Sequence, residues 1–185
     1  MRVLGIAGSL RRDSYNRHLL RAAAELLPPG AELVEYEGLK VVPPFDEDDE
    51  ANVPEAVADL REQIASADVV LFATPEYNGS IPGVLKNAVD WASRPTSDPA
   101  IRNKPAAVIG ASTGMFGAVW AQAELRKVLH TAGARVVDRE LPVAVADEAF
   151  TDDGRLADHD LEVELGGILA ELLAQAEPVQ VAEAA

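Results

Sequence analysis

Val69-Val70-Leu71-Phe72-Ala73-Thr74-Pro75-Glu76-Tyr77-Asn78-Gly79-Ser80-Ile81-Pro82-Gly83 is the stretch from which the rest of the chain can be read. The apolar run Val69 to Ala73, bounded by Asp68 and Pro75, has no polar alternation. Such a run fits a strand in a sheet covered on both faces. Pro75 biases Thr74 toward extended geometry and Asn78-Gly79 is a strong turn signal, so the strand runs into a rigid, exposed loop. Pro82 then opens a helix that reaches Trp91.

The same strand, loop and helix order recurs on both sides of this unit. Val3 to Ala7 reads as a strand, followed by a helix over Tyr15 to Leu27 with Leu19, Leu20, Ala23, Ala24 and Leu27 at helical spacing, stopped by Pro28-Pro29-Gly30. Leu33 to Tyr36 is a weaker strand and Pro54 to Ala65 a helix. Ala106 to Ile109 is a buried strand ending at Gly110, and Phe116 to Thr131 a helix stopped near Gly133. Arg135 to Val137 is a strand whose extension toward Val145 is left open, and Leu161 to Ala174 is a terminal helix. Five strands alternating with five helices predict a parallel α/β sandwich. Right-handed crossovers leave few arrangements, and a doubly wound, five-stranded sheet of flavodoxin-like order 2-1-3-4-5 fits this length. Residues 1–176 are expected to form one domain and Glu177 to Ala185 a frayed tail. The Pro-rich, acidic loop Pro43 to Glu50 is expected to present Asp46 to Glu50 to solvent.

Composition narrows the function classes. The chain has 185 residues, with 16 Lys plus Arg against 31 Asp plus Glu, a net charge of -15. Attraction to nucleic acid or to an anionic membrane is therefore disfavoured. The chain has no Cys, which excludes disulfides, thiolate metal sites and cysteine nucleophiles. The apolar run after Arg2 is short for an export signal, and the uncharged run Pro105 to Ala123 is broken by Gly110, Gly114 and Gly117, so a soluble cytoplasmic protein is expected. His18, His130 and His159 lack metal-ligand spacing, and no metal site is expected. Core packing is the default expectation for Trp91 and Trp120, with a subunit interface as the second reading.

In an open parallel sheet, ligands bind beyond the carboxyl ends of the strands, a rule for which flavodoxin with FMN is itself the standard example. Three loops leave such ends: Gly8 to Asn16, Thr74 to Ile81, and Gly110 to Gly117. The first opens directly into a helix and carries Ser9, Ser14, Asn16 and Arg11, a donor set suited to a phosphate at a helix N-terminus. Residues 9–21 hold four Arg and one Asp, a local +3 in an acidic chain. The loop has neither Walker A nor Gly-x-Gly-x-x-Gly spacing, which disfavours an NTPase or a Rossmann dehydrogenase. In the second loop, main-chain amides, Asn78 and the Tyr77 ring could border a flat polar heterocycle; a plain tight turn is the competing reading.

These residues resemble the NAD(P)H-dependent FMN reductases, especially the quinone and chromate reductase branch, over nearly the whole chain. The resemblance is carried by Gly8-Ser9-Leu10-Arg11 with Ser14-Tyr15-Asn16, and by Ser112-Thr113-Gly114 with Gly117. Its specific part is Pro75-Glu76-Tyr77-Asn78-Gly79-Ser80-Ile81-Pro82-Gly83 running into Lys86-Asn87-Ala88-Val89-Asp90-Trp91. It implies that Ser9, Arg11, Ser14 and Asn16 hold the FMN phosphate. Pro75, Glu76, Tyr77, Asn78 and Gly79 would line one edge of the isoalloxazine ring, and Ser112 and Gly114 would approach its other side. It further implies a hydride passed from NADH or NADPH to a quinone-like or other small acceptor, a homodimer or homotetramer, and no essential catalytic side chain. Asp13 departs from the pattern by bringing negative charge near a phosphate.

Two other readings stand beside this one. A flavodoxin-type electron carrier would suit the acidic surface. Gly110-Ala111-Ser112-Thr113-Gly114 also fits the nucleophile-elbow pattern, and the order Ser112, Asp138, His159 fits a serine hydrolase, although the pentapeptide is weakly specific and the chain is short for that fold.

Overall fold

A computed structural model describes residues 1–176; the expected tail, Glu177 to Ala185, lies outside the described residues. Strands β1 (Arg2–Ala7), β2 (Glu32–Glu35), β3 (Val69–Thr74) and β4 (Pro105–Ala111) alternate with helices α1 (Tyr15–Glu25), α2 (Glu55–Ser66), α3 (Gly83–Ala92) and α4 (Val119–Thr131). Two short strands, β5 (Arg135–Val136) and β6 (Pro142–Val143), precede α5 (His159–Ala174). All pairings are parallel and the order is β2-β1-β3-β4-β5, the order predicted for the sheet.

The three central strands are apolar because helices cover both faces. Leu4, Ile6, Val70, Phe72, Ala106 and Val108 point into a core completed by α2, α3 and α4. Val3, Ala7, Leu71, Ala73, Ala107 and Ile109 point into a second core completed by α1 and α5. Removing this apolar surface from water supplies the main stabilising term. Trp91 is fully buried, as expected; its indole Nε1 donates to Pro43 O at 2.9 Å and its ring meets Phe45 edge-on.

The fifth strand settles the extension left open beyond Val137. It is split, with β5 and β6 each pairing β4; Val137 N still donates to Ala106 O at 2.9 Å and Gly110 N to Leu141 O at 3.2 Å, and residues 138–140 leave the ladder between them. The reason is Gln122, a fully buried residue of α4. Its Oε1 accepts from Leu141 N at 2.9 Å, and its Nε2 donates to Leu141 O and Gly117 O at 3.1 and 3.0 Å. A side-chain amide thus satisfies Leu141 N, which the interrupted ladder leaves free, and shares Leu141 O with Gly110 N.

The helix read from Phe116 begins three residues later, because Gly117 and Ala118 both adopt positive φ, +54° and +61°. The acidic loop contains a short 3-10 helix, Glu47–Asn52, with no buried residue. Glu50 departs from a purely solvated role by pairing with Arg94 at 3.1 Å.

Candidate active site

Register sets the site. Ala7 pairs with Ala73 and Thr74 with Gly110, so β1, β3 and β4 end side by side and release their loops at one edge. Gly8 N donates to Ala73 O at 2.8 Å, pinning the first loop as it leaves. The loops enclose a cleft of about 220 Å³ lined by Ser9, Arg11, Ser14, Asn16, Pro75, Glu76, Tyr77 and Ser112, together with Tyr15, Ala111 and Thr113. These last three were missed from the sequence, although Tyr15 adjoins Ser14 and both Ala111 and Thr113 flank Ser112. Asn78, Gly79 and Gly114 lie outside the lining.

In the first loop, Ser14 is the N-cap of α1 and its Oγ accepts from Asn16 N at 3.2 Å. Only one first-turn amide is satisfied this way; the positive pole of the helix remains at the cleft. Ser9 is buried, and its Oγ accepts from Arg11 N at 3.4 Å and from the Tyr77 hydroxyl at 3.5 Å, both long contacts. Arg11 is exposed; its guanidinium donates to Asp13 O at 2.8 Å and stands 5.3 Å from the Tyr15 ring centroid.

The local +3 counted in this region is reduced by pairing. Arg17 meets Glu35 at 2.8 Å, an ion pair joining α1 to β2 away from the lining. Burial pushes the Glu35 carboxyl above its ordinary pKa, and Arg17 and then Arg21 pull it partly back. Asn16 is buried and holds main chain: Nδ2 donates to Ala111 O and Oδ1 accepts from Ala111 N, both at 3.0 Å.

The second loop is a two-residue hairpin. Tyr77 and Ser80 exchange main-chain hydrogen bonds of 3.0 and 3.2 Å around Asn78 (φ 55°) and Gly79 (φ 74°), the paired positive φ of a type I′ turn. Tight turn and cleft wall therefore coincide, with the half-exposed Tyr77 at the rim. Glu76 turns its carboxylate to the start of α4, where Oε2 accepts from Trp120 N and Ala121 N, each at 3.1 Å.

The third loop is tied to the strand beside it. Ser112 N donates to Val143 O at 3.0 Å, Ala146 N to Ser112 O at 3.1 Å, and Ser112 Oγ accepts from Gly114 N at 3.1 Å. The hydrolase triad is not assembled. Among the described residues no hydrogen bond joins Ser112 to Asp138 or His159. Asp138 is exposed near Arg126, and His159 is exposed with Nδ1 3.6 Å from Glu162. Trp120 corrects the expectation of core packing: it is 52% exposed, with its ring 4.9 Å from Phe116, which is 60% exposed. Helix α4 buries Ala121, Gln122, Leu125 and Leu129, which leaves Trp120 on its outer side, and Phe116 precedes the helix.

The donor set fits FMN. Ser9, Ser14 and Arg11 gather around a helix N-terminus, a combination suited to a phosphate. Glu76, the carboxylate in the lining, is engaged by α4 amides. The cleft has the Tyr77 side of the hairpin on one hand and Ser112 and Thr113 on the other. A wider hollow of about 420 Å³ lies between α3 and α4, with Lys86, Arg94, Arg102 and Lys127 in its lining. Lys86 there is engaged by Asp90 at 2.7 Å, and Arg94 by Glu50. Lys127 and Arg94 stand near helix C-termini, where cations offset the negative pole.

Comparison with known proteins agrees with this geometry. Residues 1–148 match the family model described as NADPH-dependent FMN reductase. An NAD(P)H-dependent FMN reductase of Pseudomonas aeruginosa is 48% identical over 160 residues, covering 85% of each chain. A 2-hydroxy-1,4-benzoquinone reductase of a Burkholderia species is 45% identical over 130 residues, covering 69% of each. The solved structure of FerB, a flavoenzyme NAD(P)H:(acceptor) oxidoreductase of Paracoccus denitrificans, superposes with a TM-score of 0.83 at 36% identity, covering 95% of this chain and 96% of that one. A flavodoxin-like sheet whose three central strand ends open onto one phosphate-compatible cleft, in a chain matched over these lengths, belongs to the NADPH-dependent FMN reductase family.

Proposed function

We propose that this chain is an FMN-dependent oxidoreductase passing a hydride from NADH or NADPH to a quinone-like acceptor, with Ser9, Arg11 and Ser14 on the FMN phosphate. Tyr77 and Pro75 would wall one edge of the ring, and Ser112 with Thr113 would close the other. Asn78, Gly79 and Gly114 would contribute through the shape of their loops, and Asn16 by holding the first loop to the third. The observation that carries this is the convergence of the three loops on one cleft, set by the pairs Ala7 with Ala73 and Thr74 with Gly110.

Bound there, FMN supplies the hydride chemistry. The chain supplies orientation and charge: the α1 N-terminus and Arg11 attract the phosphate, and the hydrogen-bonded hairpin gives the ring a fixed edge. No side chain is required as a nucleophile. Among the described residues no helix is long and apolar enough to cross a membrane. A cytoplasmic location and a homodimer or homotetramer belong to the same proposal. The exposed Met115, Phe116 and Trp120 form an apolar row of the kind that subunit contacts cover. Light scattering is expected to give at least a dimer; a monomer at micromolar concentration would remove the oligomer.

The test of the cofactor reading is the visible spectrum. The purified protein is expected to be yellow, to bleach with NADH or NADPH under argon, and to recover on adding a quinone. A colourless protein that takes up no added FMN would overturn it.

A further inference from the structure

Helix α4 has no cap of its own. Its N-cap position is Ala118, a left-handed residue with no side-chain oxygen to offer the first-turn amides. Two of those amides, of Trp120 and Ala121, are instead satisfied by the Glu76 carboxylate, which arrives from the second loop 44 and 45 residues earlier in the chain. A carboxylate at this end of a helix also meets the positive pole of the dipole. One turn further along, Ser80 Oγ donates to Glu124 Oε2 at 2.7 Å, so the hairpin is fastened to α4 on both of its sides. The same hairpin forms the Tyr77 rim of the cleft, and the same turn of helix carries Trp120, whose ring meets Phe116.

We infer that Glu76 is a positioning residue: by capping α4 it makes the Pro75–Gly79 rim and the Phe116–Trp120 pair one rigid unit, so that FMN affinity depends on the order of the α4 N-terminus. The inference rests on FMN occupying the cleft. Its physical basis is linkage. If an ordered rim is needed to hold the ligand, whatever orders the rim strengthens binding, and binding in turn orders the rim. The first turn of α4 therefore reports on the cofactor cleft although its aromatic side chains lie outside the lining.

The experiment measures two quantities in wild type, Glu76→Ala and Glu76→Gln: hydrogen exchange of the Trp120 and Ala121 amides without ligand, and the dissociation constant for FMN. Loss of a cap is expected to accelerate exchange at both amides about tenfold in Glu76→Ala, with Leu125 of the same helix as the unchanged internal reference. FMN affinity is expected to fall by about the same factor. Glu76→Gln keeps an acceptor oxygen and should restore most of both, which also guards against misfolding of the Ala variant. Faster exchange with FMN affinity within twofold of wild type would reduce Glu76 to a local cap and overturn the coupling. Unchanged exchange would remove the cap itself. Failure of wild type to bind FMN would overturn the functional reading and the coupling with it, while the exchange contrast would still identify the cap.

Discussion

Asn16 and Ala111, 95 residues apart in sequence, hold each other through a closed pair of hydrogen bonds, each 3.0 Å long. The side chain of α1 completes the peptide groups at the end of β4, so the first and third loops cannot separate without stranding a buried amide and a buried carbonyl. Asn16→Leu is therefore expected to cost about 2–4 kcal/mol in urea unfolding, because two buried main-chain groups lose partners at roughly 1–3 kcal/mol each with partial relaxation. FMN affinity should fall in the same variant. An unchanged urea midpoint would show that water replaces the amide without loss.

Arg11 separates phosphate binding from folding. It is exposed and contacts only local groups, so Arg11→Ala should leave the apoprotein's unfolding midpoint almost unchanged. Losing a charge-assisted contact of about 1.5–3 kcal/mol should weaken FMN roughly tenfold to hundredfold. Riboflavin, which lacks the phosphate, should bind wild type and Arg11→Ala equally. Equal weakening of both ligands would show that Arg11 does not meet the phosphate.

Glu35 predicts a pH signature. Burial raises its folded pKa above the ordinary 4.5, so the native state holds that proton more tightly than the unfolded chain. The associated stability is present below the ordinary value and is lost as pH rises through the folded one. The stability of wild type minus that of Glu35→Gln should therefore decline as pH rises from the ordinary value of 4.5 through the raised folded one. A difference that grows as pH rises above 4.5 would mean that pairing with Arg17 outweighs burial.

Gly117 combines positive φ with close packing. A Cβ there would collide with the carbonyl carbon of Pro142 and lie 2.6 Å from its oxygen, and φ is +54°. Left-handed strain together with displacement of β6 should make Gly117→Ala about 2–4 kcal/mol less stable. Calorimetry giving a melting point within a degree or so of wild type would contradict that packing.

What could be read from the sequence was whatever depends on neighbours along the chain. The apolar runs of β1, β3 and β4, the Asn78-Gly79 turn and the placing of the three loops follow from local pattern and from the rule for parallel sheets. The roles of Asn16, Glu76 and Gln122 could not be read so, because each side chain completes main chain of a distant segment that only the fold brings near. Ser14 shows the intermediate case: its place where a helix opens was legible and its place in the cleft followed from that loop, while its hydrogen bond to Asn16 N came from the structure. Trp120 was misjudged because core packing was taken as the default for a tryptophan, whereas α4 turns Ala121, Gln122, Leu125 and Leu129 inward and leaves Trp120 on its outer side.

The split fifth strand also bears on how copies of this protein behave in a crowded solution. A parallel sheet ends in two margins, each a potential template for a foreign strand. Here one margin offers only β5 and β6, two residues each, with Pro142 lacking an amide hydrogen. Between them the chain leaves the ladder, and Leu141 turns its main-chain groups inward to Gln122 and Gly110. Among the described residues an incoming strand finds two short segments and a proline in place of a continuous row of peptide groups, so the interruption of the fifth strand guards this margin against edge-to-edge aggregation.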